Sequence, residues 1–463
     1  MKALECIQNQ KYIVSLPLMA LVVFAYAQLS FNVERYEHFQ LFTYYGIAFL
    51  GGLALTHLLK NKLGLLISLA VLIRLLFIKH SPALSQDFYR FIWDGMLTSE
   101  GLNPYLALPK NFLETQQIAN PEFGRLLVEK MGSLSASNHT NYPPLAQLIY
   151  RMSYSISKDV ISVHLLFLRG VNWLAEIGIA FYFWKICRLL KLKKYLVFFV
   201  LLNPLVILEI TGNLHFEAVM LFFFVAFLHH LLRNSSPVLI SIFLACAVLA
   251  KLIPLIVCPL ILTYQFWPQQ NRRNFKKSFK IIALTGLFIT LGFLSFIDKN
   301  LLTAYQSSLS LWFQKFEFNA SFYYLFREIG YGLVGYNAIG IIGKTLALSI
   351  FCLVIFTSLY KYQNNKGIHF LQRLVYILSI YLLLSTTIHP WYLILPLSVS
   401  LLINHKMYLV WSGVVILSYY AYHKAYFEEN LWIVFSEYAI VLLLIGCRNL
   451  KPFVLLKQKK SRK

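Results

Sequence analysis

Long apolar runs separated by short polar connections extend along almost the whole chain. Most runs approach the roughly 20 residues that a helix needs to cross the hydrocarbon core of a bilayer, and several are near the short limit. They occupy residues 12–30, 41–59, 63–80, 160–186, 195–212, 216–232, 280–297, 337–360, 368–388, 391–404, 407–423 and 431–448. The pattern predicts an all-α polytopic membrane protein.

Lysine and arginine residues collect in connections between these runs. The clusters are Lys60 with Lys62, Lys185–Lys194, Arg272–Lys280, Lys361–Lys366 and Lys457–Lys463. Basic connections stay on the cytoplasmic side of a membrane. We therefore expect both termini inside and the two long polar loops, 81–160 and 298–336, outside. The chain is predicted to form one domain, 1–463, with a basic cytoplasmic tail at 449–463.

The apolar stretch between Pro237 and Tyr264 is too long for one upright span, and the basic residues on both sides of it belong inside. We interpret it as a hairpin of two short helices that turns near Lys251 and Pro254. This hairpin brings the expected number of membrane helices to about 12–14. The apolar segment that begins at Tyr142 is instead expected to lie along the interface, because a further span there would reverse the orientation of the following basic cluster.

Composition agrees with a membrane protein. Of the 463 residues, 58% are hydrophobic and 16% are aromatic, and the mean hydropathy is +0.62. A soluble fold of this size could not bury so much apolar surface. The formal net charge of +23 lies mainly in short connections, which favours membrane orientation over nucleic-acid binding. The six cysteines lie in apolar runs or beside the termini, so no disulfide framework is indicated.

The first polar loop contains a short charged segment between Ser85 and Tyr105. Asp87, Arg90 and Asp94 are spaced i, i+3 and i+7, so a helix would place all three on one face. Ser85 is a candidate cap for this helix, and glycines at 95 and 101 are expected to break it. Taken alone, the segment is also typical of an ion-paired amphipathic helix on the membrane surface.

Further polar residues fall at the outer ends of the predicted spans. Each has an ordinary structural interpretation, such as an interfacial histidine, a lysine that extends toward the surface or a turn residue. The candidates for substrate binding are Arg90, Asp94, Asn103, Tyr142, His215, Glu217, Lys251, Asn319, His389 and Trp391. A carboxylate, cations and amide or hydroxyl donors on one membrane face suit the binding of a phosphorylated lipid and the transfer of its head group.

An ordered set of motifs makes this interpretation more specific. The motifs are DFYRFIWDG, GLNPY, YPPLAQ, GNLHFEAVM, AKLIPL, FNASFYYL and HPWYLILPL. Together they cover about residues 80–400 and resemble the GT-C class of membrane glycosyltransferases. Within that class, the chain is similar to the bacterial mannosyltransferases that use polyprenol-phosphate-mannose.

The resemblance implies a multi-span helical fold, a sugar donor on a polyprenyl phosphate and inversion at the anomeric centre. By position, Asp87 matches the catalytic acidic residue, and Lys251 and His389 match positions near the donor phosphate. A glycan or glycolipid is the implied acceptor, mannose is the favoured sugar, and the active site faces outward from a bacterial cytoplasmic membrane. The chain differs from many members in having three spans before the acidic loop and no sizeable soluble C-terminal domain.

No cofactor is expected. The spacing of histidines and acidic residues gives no metal signature, although two outer carboxylates leave a divalent metal open. The alternative function is a transporter or flippase for a lipid-linked sugar, which would be expected to show internal repeats and charged groups near the bilayer midplane. A membrane protein without chemistry is the third interpretation, and it leaves the one-sided set of polar residues unexplained.

Overall fold

A computed structural model describes residues 2–112, 118–266, 272–359, 366–424 and 426–446. The predicted basic tail and nearly all of the predicted Lys361–Lys366 connection lie outside these residues. The described part is helical and contains no β-strand beyond a single bridge between Phe318 and Thr387.

The N-terminal half begins with three apolar helices, α1 (Lys2–Phe31), α2 (His38–Leu58) and α3 (Leu63–Leu76). The first predicted outer loop forms α4 (Asp87–Ser99), α5 (Pro109–Phe112), α6 (Pro121–Lys130), α7 (Gly132–Ala136) and α8 (Pro144–Ser157). Next come α9 (Ile161–Leu189), a 3₁₀ turn (Lys194–Val197), α10 (Phe198–Leu201), α11 (Pro204–Val206) and a π-helical segment (Ile207–Gly212). They are followed by α12 (Glu217–Leu232), α13 (Pro237–Ala250), a 3₁₀ turn (Ile253–Val257) and α14 (Cys258–Phe266).

The C-terminal half continues with α15 (Arg272–Phe293) and a 3₁₀ turn (Leu294–Phe296). The second predicted outer loop forms α16 (Leu301–Gln314) and α17 (Phe322–Val334). The remaining elements are α18 (Ile339–Leu359), α19 (Lys366–Leu384), a 3₁₀ turn (Pro390–Leu393), α20 (Ile394–Leu402), α21 (Met407–Val414), a 3₁₀ segment (Val415–Tyr422) and α22 (Leu431–Gly446).

Length and composition identify membrane spans in this bundle. Within the described residues, six helices are long and apolar enough to cross a membrane: Val14–Phe31, His38–Leu58, Ile161–Leu189, Phe275–Phe296, Ile339–Leu359 and Gly367–Leu384. A bent pair, Lys194–Leu201 with Pro204–Gly212, makes one more, and seven shorter apolar helices accompany them. Large apolar side chains such as Leu348, Phe351 and Phe356 remain more than 60% exposed on α18, as lipid-facing residues do. The chain is an all-α polytopic membrane protein.

The predicted hairpin after Pro237 is present. The Ser241 hydroxyl on α13 donates to the Ile281 carbonyl at 2.9 Å, and the Ser278 hydroxyl donates to the Ile261 carbonyl on α14 at 2.9 Å. Residues 278 and 281 are one turn apart on α15. Ser241 and Ile261 therefore lie at the same level, which requires the chain to reverse direction between them.

A buried arginine fixes the chain where it leaves the membrane before α4. Arg169 on α9 is fully buried and donates to the carbonyls of Ile78, His80 and Thr211, each at 2.9 Å. These carbonyls lie at or just beyond the ends of helices, where no further turn supplies an N–H donor. The guanidinium therefore satisfies acceptors that would be costly to bury without a partner. The contacts hold the entry to α4 beside the end of the π-helical segment.

The first outer loop is organised by the packing of α4 on α8. The Phe91 and Tyr150 rings stack with centroids 4.7 Å apart. α4 continues through Gly95, so the expectation that Gly95 breaks this helix is wrong. A Cβ on Gly95 would lie 2.3 Å from the Tyr150 carbonyl oxygen, and the glycine therefore permits close approach of α8. Gly101, in the left-handed region at φ +78°, follows the end of the helix as predicted.

Candidate functional site

A cavity of about 530 Å³ opens among the connections that were predicted to face outward. Its volume lies in the usual range for a small-molecule site. Of the predicted site residues, those that line it are Asp87, Arg90, Tyr142, Glu217, Lys251, His389 and Trp391. The folded chain thus brings together residues from five separate parts of the sequence.

The cavity and the basic connections occupy opposite ends of the helices that join them. Helix α12 starts with Glu217 in the cavity wall and ends before Arg233. Helix α2 follows the cavity-lining residue Arg35 and ends before Lys60. This arrangement agrees with the charge pattern, which assigned the polar candidates and the basic clusters to different sides.

Asp87 begins α4 and faces the cavity. Its side chain is 34% exposed, its Oδ2 accepts a hydrogen bond from the Tyr142 hydroxyl at 3.4 Å, and its N–H donates to Ser85 Oγ at 3.3 Å. Burial raises the pKa of the Asp87 carboxyl, while the Lys251 ammonium and the Tyr142 hydrogen bond oppose that rise. A carboxylate in such surroundings combines access to a ligand with increased basicity.

Asp94 lies behind the cavity wall and does not reach the cavity. It is fully buried; its Oδ1 accepts from Arg90 Nε at 2.8 Å and its Oδ2 accepts from Gln147 Nε2 at 2.9 Å. Arg90 also donates to the carbonyls of Ser135 and Asn138, at 2.7 and 2.9 Å. The two carboxylates on this helix face therefore differ in their surroundings. Asp87 is open to a ligand in the cavity, whereas Asp94 is buried and holds Arg90 in place.

Lys251, which the resemblance places near the donor phosphate, has a carboxylate partner within the protein. Its Nζ forms an ion pair with Glu217 at the start of α12. The Glu217 side chain is 2% exposed and that of Lys251 is 18% exposed. The pair joins the turn of the α13–α14 hairpin to α12, and both residues line the cavity.

Two histidines sandwich a tryptophan beside Asp87. The Trp391 ring stacks on His389 at 4.4 Å and on His215 at 3.7 Å between centroids. His215 Nδ1 lies 3.9 Å from Asp87 Oδ2, and its Nε2 lies 3.5 Å from Glu209 Oε2. Burial lowers the pKa of His389 to about 3 and that of His215 well below its ordinary value, with the Lys251 charge adding to both shifts. Both shifts favour the neutral imidazole, and a neutral His389 can meet a phosphate as an N–H donor.

Four predicted residues do not line the cavity. Asp94 and His215 are buried beside it, as described above, whereas Asn103 and Asn319 join distant segments of the chain. Asn103 Nδ2 donates to the Phe296 carbonyl at 2.9 Å, and its Oδ1 accepts from the Tyr105 N–H at 3.1 Å. Asn319 is fully buried, and its N–H donates to Glu429 at 2.6 Å. Its neighbour Phe318 lines the cavity. Asn319 thus supports the wall and does not contact a ligand directly.

Arg35 lines the cavity but was absent from the sequence-based candidates. It lies in the short connection between α1 and α2, and its guanidinium carbon sits 4.5 Å from the centroid of the Tyr422 ring. The missed signal was topological, since an arginine in a connection expected outside runs against the usual charge bias. His139 also lines the cavity and was likewise missed.

No group of three or more histidine, cysteine or acidic side chains among the described residues is arranged to hold a metal ion. The expectation of no cofactor remains a prediction. The site consists of an open carboxylate, three cationic side chains, neutral imidazoles and aromatic walls.

The fold and the cavity define a polytopic membrane protein with a ligand-sized site whose wall has polar and apolar parts. Residues 48–266 match the family described as Alpha-(1->6)-mannopyranosyltransferase, N-terminal domain. The match supports a mannosyltransferase and confirms the predicted resemblance over slightly less than half of the chain. No curated protein and no solved structure matches the chain significantly.

Proposed function

We propose that the protein is an inverting mannosyltransferase that uses a polyprenyl-phosphate sugar as donor. The observation that carries the proposal is the exposure of Asp87 to the cavity while the neighbouring Asp94 is sealed and fully paired. A single accessible carboxylate with raised basicity is what direct displacement by an acceptor hydroxyl requires. The family match supports mannose as the sugar.

In the proposed reaction, Asp87 removes the proton from an acceptor hydroxyl as that oxygen attacks the anomeric carbon. The new C–O bond forms on the face opposite the phosphate, the bond to the phosphate oxygen breaks, and the anomeric configuration inverts. Polyprenyl phosphate leaves as an anion, so cations near that oxygen are needed more than a general acid. Asp87 ends the step protonated and returns its proton to water.

The cavity wall has both polar and apolar parts, which suits a lipid-linked sugar. Asp87 and Tyr142 supply polar groups, while Met220, Ile253 and Phe313 supply apolar surface. The sugar and phosphate would occupy the polar part, and the first isoprene units would lie along the apolar part. Because the basic connections lie at the other helix ends, we assign the cavity to the extracytoplasmic side, facing a glycan or glycolipid acceptor.

The proposal is tested with purified protein, a radiolabelled polyprenyl-phosphate mannose and an α-mannoside acceptor. The family description makes an α-(1→6) product the first to look for. Asp87→Asn should lower the transfer rate by about 10²–10⁴-fold, the usual loss of a general base. The matched control is Asp298→Asn, which neutralises an exposed carboxylate outside the cavity and should leave the rate unchanged. Near-normal transfer by a monodisperse Asp87→Asn protein would refute Asp87 as the base.

A further inference from the structure

The three cationic side chains of the cavity differ in how they are neutralised. Arg90 is paired with Asp94 at 2.8 Å, and Lys251 is paired with Glu217. Arg35 forms no hydrogen bond or ion pair within the part of the chain that the structure describes, and its guanidinium carbon lies 4.5 Å from the centroid of the Tyr422 ring. Arg35 is therefore the cavity cation whose positive charge has no carboxylate partner.

The acidic neighbours of Arg35 in sequence do not compensate its charge. Glu37 turns back to its own connection, where its Oε2 accepts from the N–H of Glu34 at 2.9 Å. Glu34 is exposed to solvent, whereas Arg35 is half-buried in the cavity wall. A guanidinium lying over an aromatic face keeps its N–H edge free for an anion.

The charges that face this part of the cavity point to an anionic ligand. The carboxylates of Asp94 and Glu217 are committed to their own cations, and Asp87 must stay free to accept a proton. Arg35 and Asp87 line the same cavity, so an anion held by Arg35 would share that cavity with the proposed base. A phosphate offers two acceptor oxygens to the guanidinium fork, which is a favourable bidentate arrangement.

We propose that Arg35 binds the phosphate group of the lipid donor. The inference rests on the proposed function and names the residue that meets the donor anion. It also gives α1 and α2 a direct part in the site, because Arg35 lies in the connection between them. This connection precedes residues 48–266, which match the family. Lys251, already neutralised by Glu217, would then assist the phosphate without being its main partner.

The test compares the binding of a long-chain polyprenyl monophosphate with that of the uncharged polyprenol of equal length. Arg35→Gln should weaken binding of the monophosphate by about 10- to 100-fold, the value of a lost charge-assisted contact, and leave polyprenol binding unchanged. Arg35→Lys should fall between wild type and Arg35→Gln, because a point charge remains without the fork. Arg125→Gln, which removes an exposed arginine outside the cavity, is the matched control.

Transfer kinetics add a second readout. Phosphate binding predicts a raised donor KM in Arg35→Gln and an unchanged acceptor KM. If donor affinity is unchanged and only the acid limb of the pH profile moves, Arg35 acts on Asp87 and the proposal is overturned. Equally tight, Arg35-dependent binding of inorganic phosphate would also overturn it, because the site would then select free phosphate.

The binding experiment separates this inference from the proposed function. Should wild-type protein bind polyprenyl monophosphate through Arg35 yet transfer no sugar, the proposed function fails and the phosphate site remains. Should transfer occur normally in Arg35→Gln, the proposed function remains and the assignment of Arg35 fails.

Discussion

The Lys251–Glu217 ion pair allows a role in stability to be separated from a role in catalysis. Glu217 is almost completely buried, at 2% exposure, and Lys251 is its partner. Lys251→Met would leave the Glu217 carboxylate without compensation, and removing one member of a buried pair typically costs about 3–5 kcal/mol. Glu217→Gln should cost less, because the remaining ammonium is 18% exposed and can reach water in the cavity.

The double variant, Glu217→Met with Lys251→Met, gives the decisive comparison. Replacing both members of a buried pair by hydrophobic groups of similar size is often close to neutral in stability. We therefore expect the double variant to be more stable than Lys251→Met. The difference should be most of the free energy of unfolding that Lys251→Met loses, about 3–5 kcal/mol. If Lys251 also assists the donor phosphate, the double variant should recover stability but not the wild-type donor KM.

The assay is thermal unfolding of each monodisperse protein in the same detergent. Transfer kinetics are then measured at a temperature below the lowest unfolding temperature among the variants. Lys424→Met is the control, since its pair with Glu428 is exposed, with 42% and 48% side-chain exposure, and its loss should change stability very little. A double variant no more stable than Lys251→Met would refute the argument from an uncompensated buried charge.

Two further predictions concern the proposed base and the orientation of the site. Tyr142→Phe removes the hydrogen bond that lowers the pKa of Asp87. The acid limb of the pH profile of the transfer rate should therefore move to higher pH. An unchanged acid limb would show that this hydroxyl does not act on the base. After removal of the native cysteines, a cysteine at Asn111 should react with an impermeant reagent in intact cells and one at Lys193 should be protected; the opposite result would place the cavity inside.

The membrane spans were predictable because length and charge act locally. The predicted run 368–388 corresponds to Lys366–Leu384, and the run 337–360 to Ile339–Leu359. Neither depends on which helix packs beside it, since the bilayer selects apolar length and the orientation follows the basic connections. The hairpin turn at Lys251 could be predicted for the same reason, from an apolar stretch flanked by basic residues.

The contacts between distant segments could not be predicted in this way. Glu217 and Lys251 are 34 residues apart, and nothing in their local sequence indicates that they pair. Gly95 was expected to end a helix on propensity alone, but the approach of Tyr150 explains why glycine is needed there. Tertiary packing overrides a weak local preference in such cases.

Arg35 shows which information the sequence did contain. Arginine is disfavoured in outward connections, and a charged group at a membrane face normally has a partner or a function. In the described structure its contact is an aromatic ring at the cavity wall and not a carboxylate. Lys251 satisfies its charge with a carboxylate of the protein, whereas Arg35 has no carboxylate partner within the described residues.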